Sequence, residues 1–166
     1  MSEEVKASSP NQPLLDSYVA VISEKITAEA IKESYINEAN SHMPTLIIDK
    51  KYWSDVASLI RDDESLKFNY LMNLSGVDYE QFMEVVYHLY SYSRDAYLAI
   101  KVQTERDGGS VPTVIGLWPV ADWQERETYD LLGIGFTGRE ITRILLPDEW
   151  VGHPLRKDYV PHDEGV

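Results

Sequence analysis

The sequence predicts an α+β domain, with an antiparallel or mixed sheet, helices packed on one face, and an extended irregular C-terminal tail. Three observations carry this. Two helices flank a stretch, residues 68–104, in which the hydrophobic period is that of strands. Turn residues break that stretch into separate runs, which makes an antiparallel meander of about four strands the natural reading. Past residue 132 neither period lasts: glycines at 133, 135, 138, 152 and 165 and prolines at 147, 154 and 161 interrupt a run still rich in large apolar residues. The expected division is a disordered arm at 1–12, an α+β domain at 13–132 and a partner-binding tail at 133–166.

The arm, MSEEVKASSPNQ, is polar and aperiodic. From Pro13 to about Ile26, Leu14, Leu15, Tyr18, Val21 and Ile22 recur at helical spacing, with the proline near the start. Ala30–Asn37 alternates weakly and reads as a strand, Asn40-Ser41-His42 as a loop, and Thr45–Ile48 as a short apolar strand. A helix from about Lys50 to Arg61 buries Trp53, Val56, Ala57 and Ile60. Phe68–Leu74, Phe82–Ser91 and Tyr97–Thr104 read as strands, Gly76-Val77-Asp78 as a turn or bulge, and Asp107-Gly108-Gly109 as a loop. Val111–Gly116 fits either a loop or the first turn of the next helix.

That helix runs from Pro119, well placed where a missing N–H costs little, to Gly133, a natural stop just past the last turn. At about 100° per residue, Val120, Trp123 and Leu131 share one side, and Glu127 falls among them. A carboxylate in a core-facing stripe needs a partner or must give up its charge. The expectation is a buried Glu127 paired with Arg143 or Arg156. Arg126 and Asp130, one turn apart, are able to pair as well.

A net charge of −13 and an isoelectric point near 4.6 argue against nucleic acid and against adsorption on an anionic membrane. The absence of cysteine excludes disulfides, thiolate catalysis and cysteine-held iron–sulfur clusters in this chain. No apolar run reaches the roughly 18 residues of a membrane span, and the first residues lack the apolar core of a secretory signal. His42, His88, His153 and His162 show no metal-ligand spacing, and no phosphate-binding glycine loop is present. The tyrosines of the strand 82–91 read as cross-strand packing.

Glu125-Arg126-Glu127, Tyr129-Asp130, Gly133, Phe136, Gly138, Arg143-Ile144-Leu145 and Gly152-His153-Pro154-Leu155-Arg156-Lys157-Asp158-Tyr159, in this order and spacing, resemble the signature of one family of NADH-quinone oxidoreductase subunits, the 30 kDa subunit family of respiratory complex I. One departure stands out: Arg139-Glu140 occupies the place where that family usually has His-Pro. The resemblance implies a compact α+β domain with a C-terminal extension and no catalytic, cofactor or metal residues of its own. It implies a peripheral-arm subunit on the cytoplasmic side of the cell membrane, touching the membrane only through its complex. Its partners would be the large hydrogenase-like subunit and the subunit with the terminal iron–sulfur cluster, which together form the quinone pocket. The complex would pass electrons from NADH or a related donor to quinone and translocate protons.

The interface expected on this basis comprises Glu125, Arg126, Glu127, Tyr129, Asp130, Gly133, Phe136, Arg143, Leu145, Leu146, Pro147, His153, Pro154, Leu155, Arg156, Lys157, Asp158 and Tyr159. The tail's apolar residues are expected to be partly exposed in the free chain and buried on a partner, with Arg143, Arg156, Lys157 and Asp158 adding charge-assisted hydrogen bonds there. Two other functions compete with this one: a stand-alone acid–base enzyme using Glu125, Glu127, Asp130 and His153, and a general adaptor with an acidic face.

Overall fold

The computed structural model describes residues 9–161; most of the expected arm, residues 1–8, and the segment 162–166 lie outside the described residues. The elements in chain order are α1 (Gln12–Lys25), β1 (Ile31–Asn37), β2 (Met43–Ile48), α2 (Trp53–Asp62), β3 (Tyr70–Asp78), β4 (Phe82–Ser91), β5 (Ala96–Glu105), β6 (Ser110–Pro112), α3 (Ala121–Leu132) and β7 (Gly135–Thr137).

Five strands form one mixed sheet in the order β1-β2-β5-β4-β3. β3, β4 and β5 form an antiparallel meander of three strands where about four were expected, and β1 pairs antiparallel with β2. After β2 the chain passes through α2 to the far edge of the sheet. The meander then returns β5 to the side of β2, which it joins in parallel.

Strand alternation places Met83, Val85, Tyr87 and Leu89 of β4 and Leu98, Ile100 and Val102 of β5 in the core. α1 adds Leu15, Tyr18 and Ile22, and α2 adds Trp53, Val56, Ala57 and Ile60, the stripe read from its sequence. The indole groups at the centre keep their polar atoms satisfied. Trp53 rests on the Tyr87 ring, 4.6 Å between centroids, and donates its indole N–H to the phenol oxygen at 3.2 Å. Trp118 donates to the Phe68 carbonyl at 3.2 Å, and Phe68 meets Tyr18 edge-on.

The structure corrects one reading here. Gly76-Val77-Asp78 is not a turn: β3 continues through all three, and its irregularity lies between Leu71 and Asn73. Gly76 marks the point where α3 crosses the strand. A Cβ there would lie 2.5 Å from Leu132 Cδ1 and 2.9 Å from Thr128 Cγ2. The turn comes afterwards, where Glu80 takes a positive φ and donates its N–H to Asp78 Oδ1 at 2.7 Å. The ambiguous run before α3 also resolves. Residues 110–112 form β6, paired in parallel with β7 so that Val111 sits beside the buried Phe136.

Gly76→Ala is expected to destabilise the domain by about 1–3 kcal/mol, because the packed side chains of Leu132 and Thr128 must move to admit the methyl group. Gly116→Ala, where a Cβ meets nothing within 4 Å, is the control and should stay within about 0.5 kcal/mol. Urea unfolding midpoints of the two variants measure the contrast.

Candidate functional site

α3 ends in Gly133, which has φ 76° and returns its N–H to the Tyr129 carbonyl at 2.8 Å, the left-handed cap expected of this glycine. The phase of the helix differs from the expectation. Its buried residues are Ala121, Glu125, Thr128, Asp130 and Leu132. Val120 is 48% and Trp123 61% exposed, and Glu127 faces solvent with them. The expected burial of Glu127 is therefore incorrect: Val120, Trp123 and Glu127 lie on the outer side of the helix. The reason is chemical. Two other carboxylates find donors that apolar periodicity does not register, and the contact of Thr128 and Leu132 with Gly76 fixes the rotation of the helix.

Glu125 is fully buried. Its Oε1 accepts the Val114 N–H at 2.8 Å, and its Oε2 accepts the Thr113 hydroxyl at 2.7 Å and Arg139 Nη1 at 3.1 Å. Burial raises its pKa above the ordinary glutamate range; these three donors partly oppose the rise. Arg139 also pairs with Asp122 and so bridges two acids of α3.

Asp130 is the other buried acid of the helix. Its Oδ2 accepts three successive backbone N–H groups, from Ile144, Leu145 and Leu146, at 3.1, 2.8 and 2.9 Å. Its Oδ1 accepts Arg143 Nη1 at 2.6 Å. Burial pushes this carboxyl up, but the three N–H groups and the guanidinium outweigh it and hold the pKa at about 2. Arg143 also reaches further along the tail, donating Nη2 to the carbonyls of Trp150 and Gly152, both at 3.0 Å.

The last turn of α3 would leave carbonyls unpaired, and the tail supplies donors for them. His153 Nδ1 donates its N–H to the Asp130 carbonyl at 2.9 Å. The Leu155 N–H donates to the Leu131 carbonyl at 2.9 Å. The His153 ring lies so near Gly133 that a Cβ there would be 2.7 Å from Cδ2, and it meets Tyr129 edge-on. Arg126 ties the same segment from the side, donating to the carbonyls of Thr142 and Arg143.

A second anchor lies at the end of β3. Asp78, paired with Arg106 and held well below the usual carboxylate range chiefly by it, accepts the Lys157 N–H at 2.9 Å. Arg156 pairs with Asp107 and Asp158 and donates to the Arg106 carbonyl. Lys157 Nζ reaches Glu80 at 3.2 Å. Arg143, Arg156, Lys157 and Asp158, expected to bond to a partner, bind within this chain to Asp130, Asp107, Glu80 and Arg106 and to one another. Arg143 and Arg156 do not serve Glu127.

The tail's side chains divide accordingly. Phe136 is buried, Ile144, Leu146, Pro154 and Tyr159 are half-buried, and Leu145 (60% exposed), Pro147, Trp150, Val151 (79%), Leu155 (61%) and Val160 (80%) project outward. Sequence reasoning missed Thr113, Asp78, Arg106 and Asp107. They lie 12–79 residues from the groups they bind, and no periodicity links such distant positions. Glu125, Asp130 and His153 do not converge as an acid–base centre. Glu125 and Asp130 bond to separate sets of donors, His153 meets the backbone carbonyl of Asp130, and Glu127 faces solvent.

Asp130→Asn is expected to cost about 3 kcal/mol or more near neutral pH, because it removes the charge opposite Arg143 and turns an NH2 against either that guanidinium or the three N–H groups. A carboxyl held at about 2 contributes stability that is complete above its unfolded value near 3.8 and lost as pH falls to about 2. The variant should therefore lose less stability than wild type between pH 4 and 2. Urea titrations across that range test both effects.

The site lies within a longer region that the chain shares with known proteins. Residues 46–164 match the family model for the respiratory-chain NADH dehydrogenase, 30 Kd subunit. Relatives named as subunits of NADH-quinone oxidoreductase align with the chain. The one from Roseiflexus sp. strain RS-1 is 52% identical over 63% of this chain and 62% of its own length. That from Chlorobium phaeobacteroides is 45% identical over 74% and 76%. The Saccharopolyspora erythraea protein is 36% identical over 86% and 58%. The chain thus spans a little over three-fifths of the Roseiflexus relative. Among solved structures, a chain of the archaeal membrane-bound sulfane sulfur reductase, a respiratory membrane complex, superposes with a TM-score of 0.71 at 24% identity, covering 87% of this chain and 85% of that one. A trypsin-resistant fragment (1–134) of Nqo5 superposes at 0.61 and 23% identity, covering 75% and 99%, so the fold is shared with both. The chain belongs to the 30 kDa subunit family of the respiratory-chain NADH dehydrogenase.

Proposed function

We propose that the chain is a non-catalytic subunit of a quinone-reducing, proton-translocating respiratory complex driven by NADH or a related electron donor. It sits in the peripheral arm on the cytoplasmic side of the membrane. There it braces the large hydrogenase-like subunit and the subunit with the terminal iron–sulfur cluster, whose shared quinone pocket must keep a fixed distance from that cluster. Electron transfer and quinone chemistry belong to those partners. The names of the aligned relatives support the complex, and no helix among the described residues is long and apolar enough to cross a membrane.

One observation carries the bracing role. The tail is fastened to the domain through backbone groups and charged side chains, while Leu145, Trp150, Val151, Leu155 and Val160 face outward. A segment held in this way presents fixed apolar side chains to a neighbour. The signature residues then divide into two roles. Glu125, Arg126, Asp130, Gly133, Arg143, His153 and Arg156 set the shape of the tail. Leu145, Pro147 and Leu155 touch the partner, and Glu127 faces the same solvent side from α3.

Replacing Leu145, Trp150 and Leu155 together by serine should leave the free chain's unfolding midpoint nearly unchanged, since exposed substitutions usually cost within about 0.5 kcal/mol each. The same variant should lose co-purification with the large hydrogenase-like subunit, as truncated anchors of an interface do. A variant that assembles like wild type overturns the reading.

A further inference from the structure

β3 is an edge strand, and its outer side pairs with no other strand among the described residues. Soluble proteins usually protect such edges with charge. The opposite edge, β1, follows that rule with Lys32 and Glu33. β3 reads Tyr-Leu-Met-Asn-Leu-Ser-Gly-Val before Asp78 and carries no charge over that length. α3 lies alongside, and the two enclose a groove of about 220 Å³ walled by residues 73–76 of the strand, Gln124, Glu127 and Leu131 of the helix, and Leu155 of the tail.

Three features of this groove call for the same occupant. The strand edge offers backbone donors and acceptors in register for another strand. Gln124 Oε1 is buried in the wall and has no hydrogen-bond partner among the described residues, a state that a donor from outside would relieve. Glu127 stands exposed at the rim with no ion pair among the described residues, on a chain of net charge −13. We propose that an extended segment of a partner subunit lies in this groove as a sixth strand against β3. Its backbone pairs with the strand edge and a donor of the segment meets Gln124. An apolar side chain rests on Leu131 and Leu155, and a lysine or arginine stands beside Glu127. The proposal rests on the reading of this chain as a docked subunit and adds how, and by what kind of sequence, a neighbour is received.

The test titrates the isotope-labelled full chain with a synthetic peptide of about nine residues alternating valine and lysine, followed by amide NMR. The controls are the same peptide with glutamate for lysine, and two lysine peptides N-methylated on one or the other set of alternate residues. The lysine peptide should shift amides at 73–77 and 124–131 and bind about tenfold tighter than the glutamate peptide, a difference of about 1.4 kcal/mol. One of the two N-methylated peptides should lose binding, since only one edge of an added strand faces β3. Glu127→Lys should reverse the order of the lysine and glutamate peptides. Shifts confined to other surfaces, undiminished binding by both N-methylated peptides, or no binding of the lysine peptide at millimolar concentration would overturn the proposal. If the serine variant of the tail still loses its partner while the peptide fails to bind, the groove is excluded and the subunit reading stands.

Discussion

The carboxylate of Asp130 is the constraint on which the C-terminal third of the molecule depends. Near the C-terminal end of a helix an acid is poorly placed against the macrodipole, and a buried one is costly unless fully bonded. Asp130 meets that cost by collecting the N–H groups of Ile144, Leu145 and Leu146 on one oxygen and Arg143 on the other. Once Arg143 is fixed, its other nitrogen gathers the carbonyls of Trp150 and Gly152. Gly152 is followed by His153, which returns to the Asp130 carbonyl. The tail is thus closed into a loop about a single residue, and Asp78 repeats the device further on with Arg106 and the Lys157 N–H.

Three consecutive residues of α3 show how a helix distributes work around its circumference. Successive side chains point about 100° apart. Glu125 turns into the body and is bonded to residues before the helix, Arg126 turns to the tail backbone, and Glu127 turns to solvent. Arg139 belongs to the same arrangement. Its permanently charged guanidinium meets both Glu125 and Asp122. It therefore supplies a counter-charge to the buried Glu125 that does not depend on pH within the physiological range.

What is legible in the sequence is legible through periodicity. β4 spans Phe82–Ser91 as read, the four residues of the α2 stripe are the four that are buried, and Gly133 ends α3 in the left-handed conformation. These are local patterns, each set by one element against one core. The errors arise where a distant group decides. Gly76 resembles a turn residue until the crossing helix is known. Val120 and Trp123 suggest the wrong face of α3, because Thr113, Val114, Arg139 and Arg143 determine which acids turn inward. The parallel contact of β2 with β5 follows from the route of the whole chain. For the site, the motif residues are identifiable as a group. Their division into those that hold the tail and those left facing outward requires the positions of their partners.

The polar fastening of the tail alters the thermodynamics of assembly. A disordered tail with the same side chains would lose roughly 1–2 kcal/mol of backbone entropy per residue on being immobilised, which would offset most of what its leucines and tryptophan gain by leaving water. Here residues 143–157 are already tied at Asp130, the last α3 carbonyls and Asp78. That conformational loss falls within the folding of the domain and is largely absent from association. On the proposed function, the outward side chains, each worth about 1.5–3 kcal/mol when fully covered, would then keep more of that gain for the contact. The chain would meet its neighbours with its outward side chains already held in place by the bonds of Asp130 and Asp78.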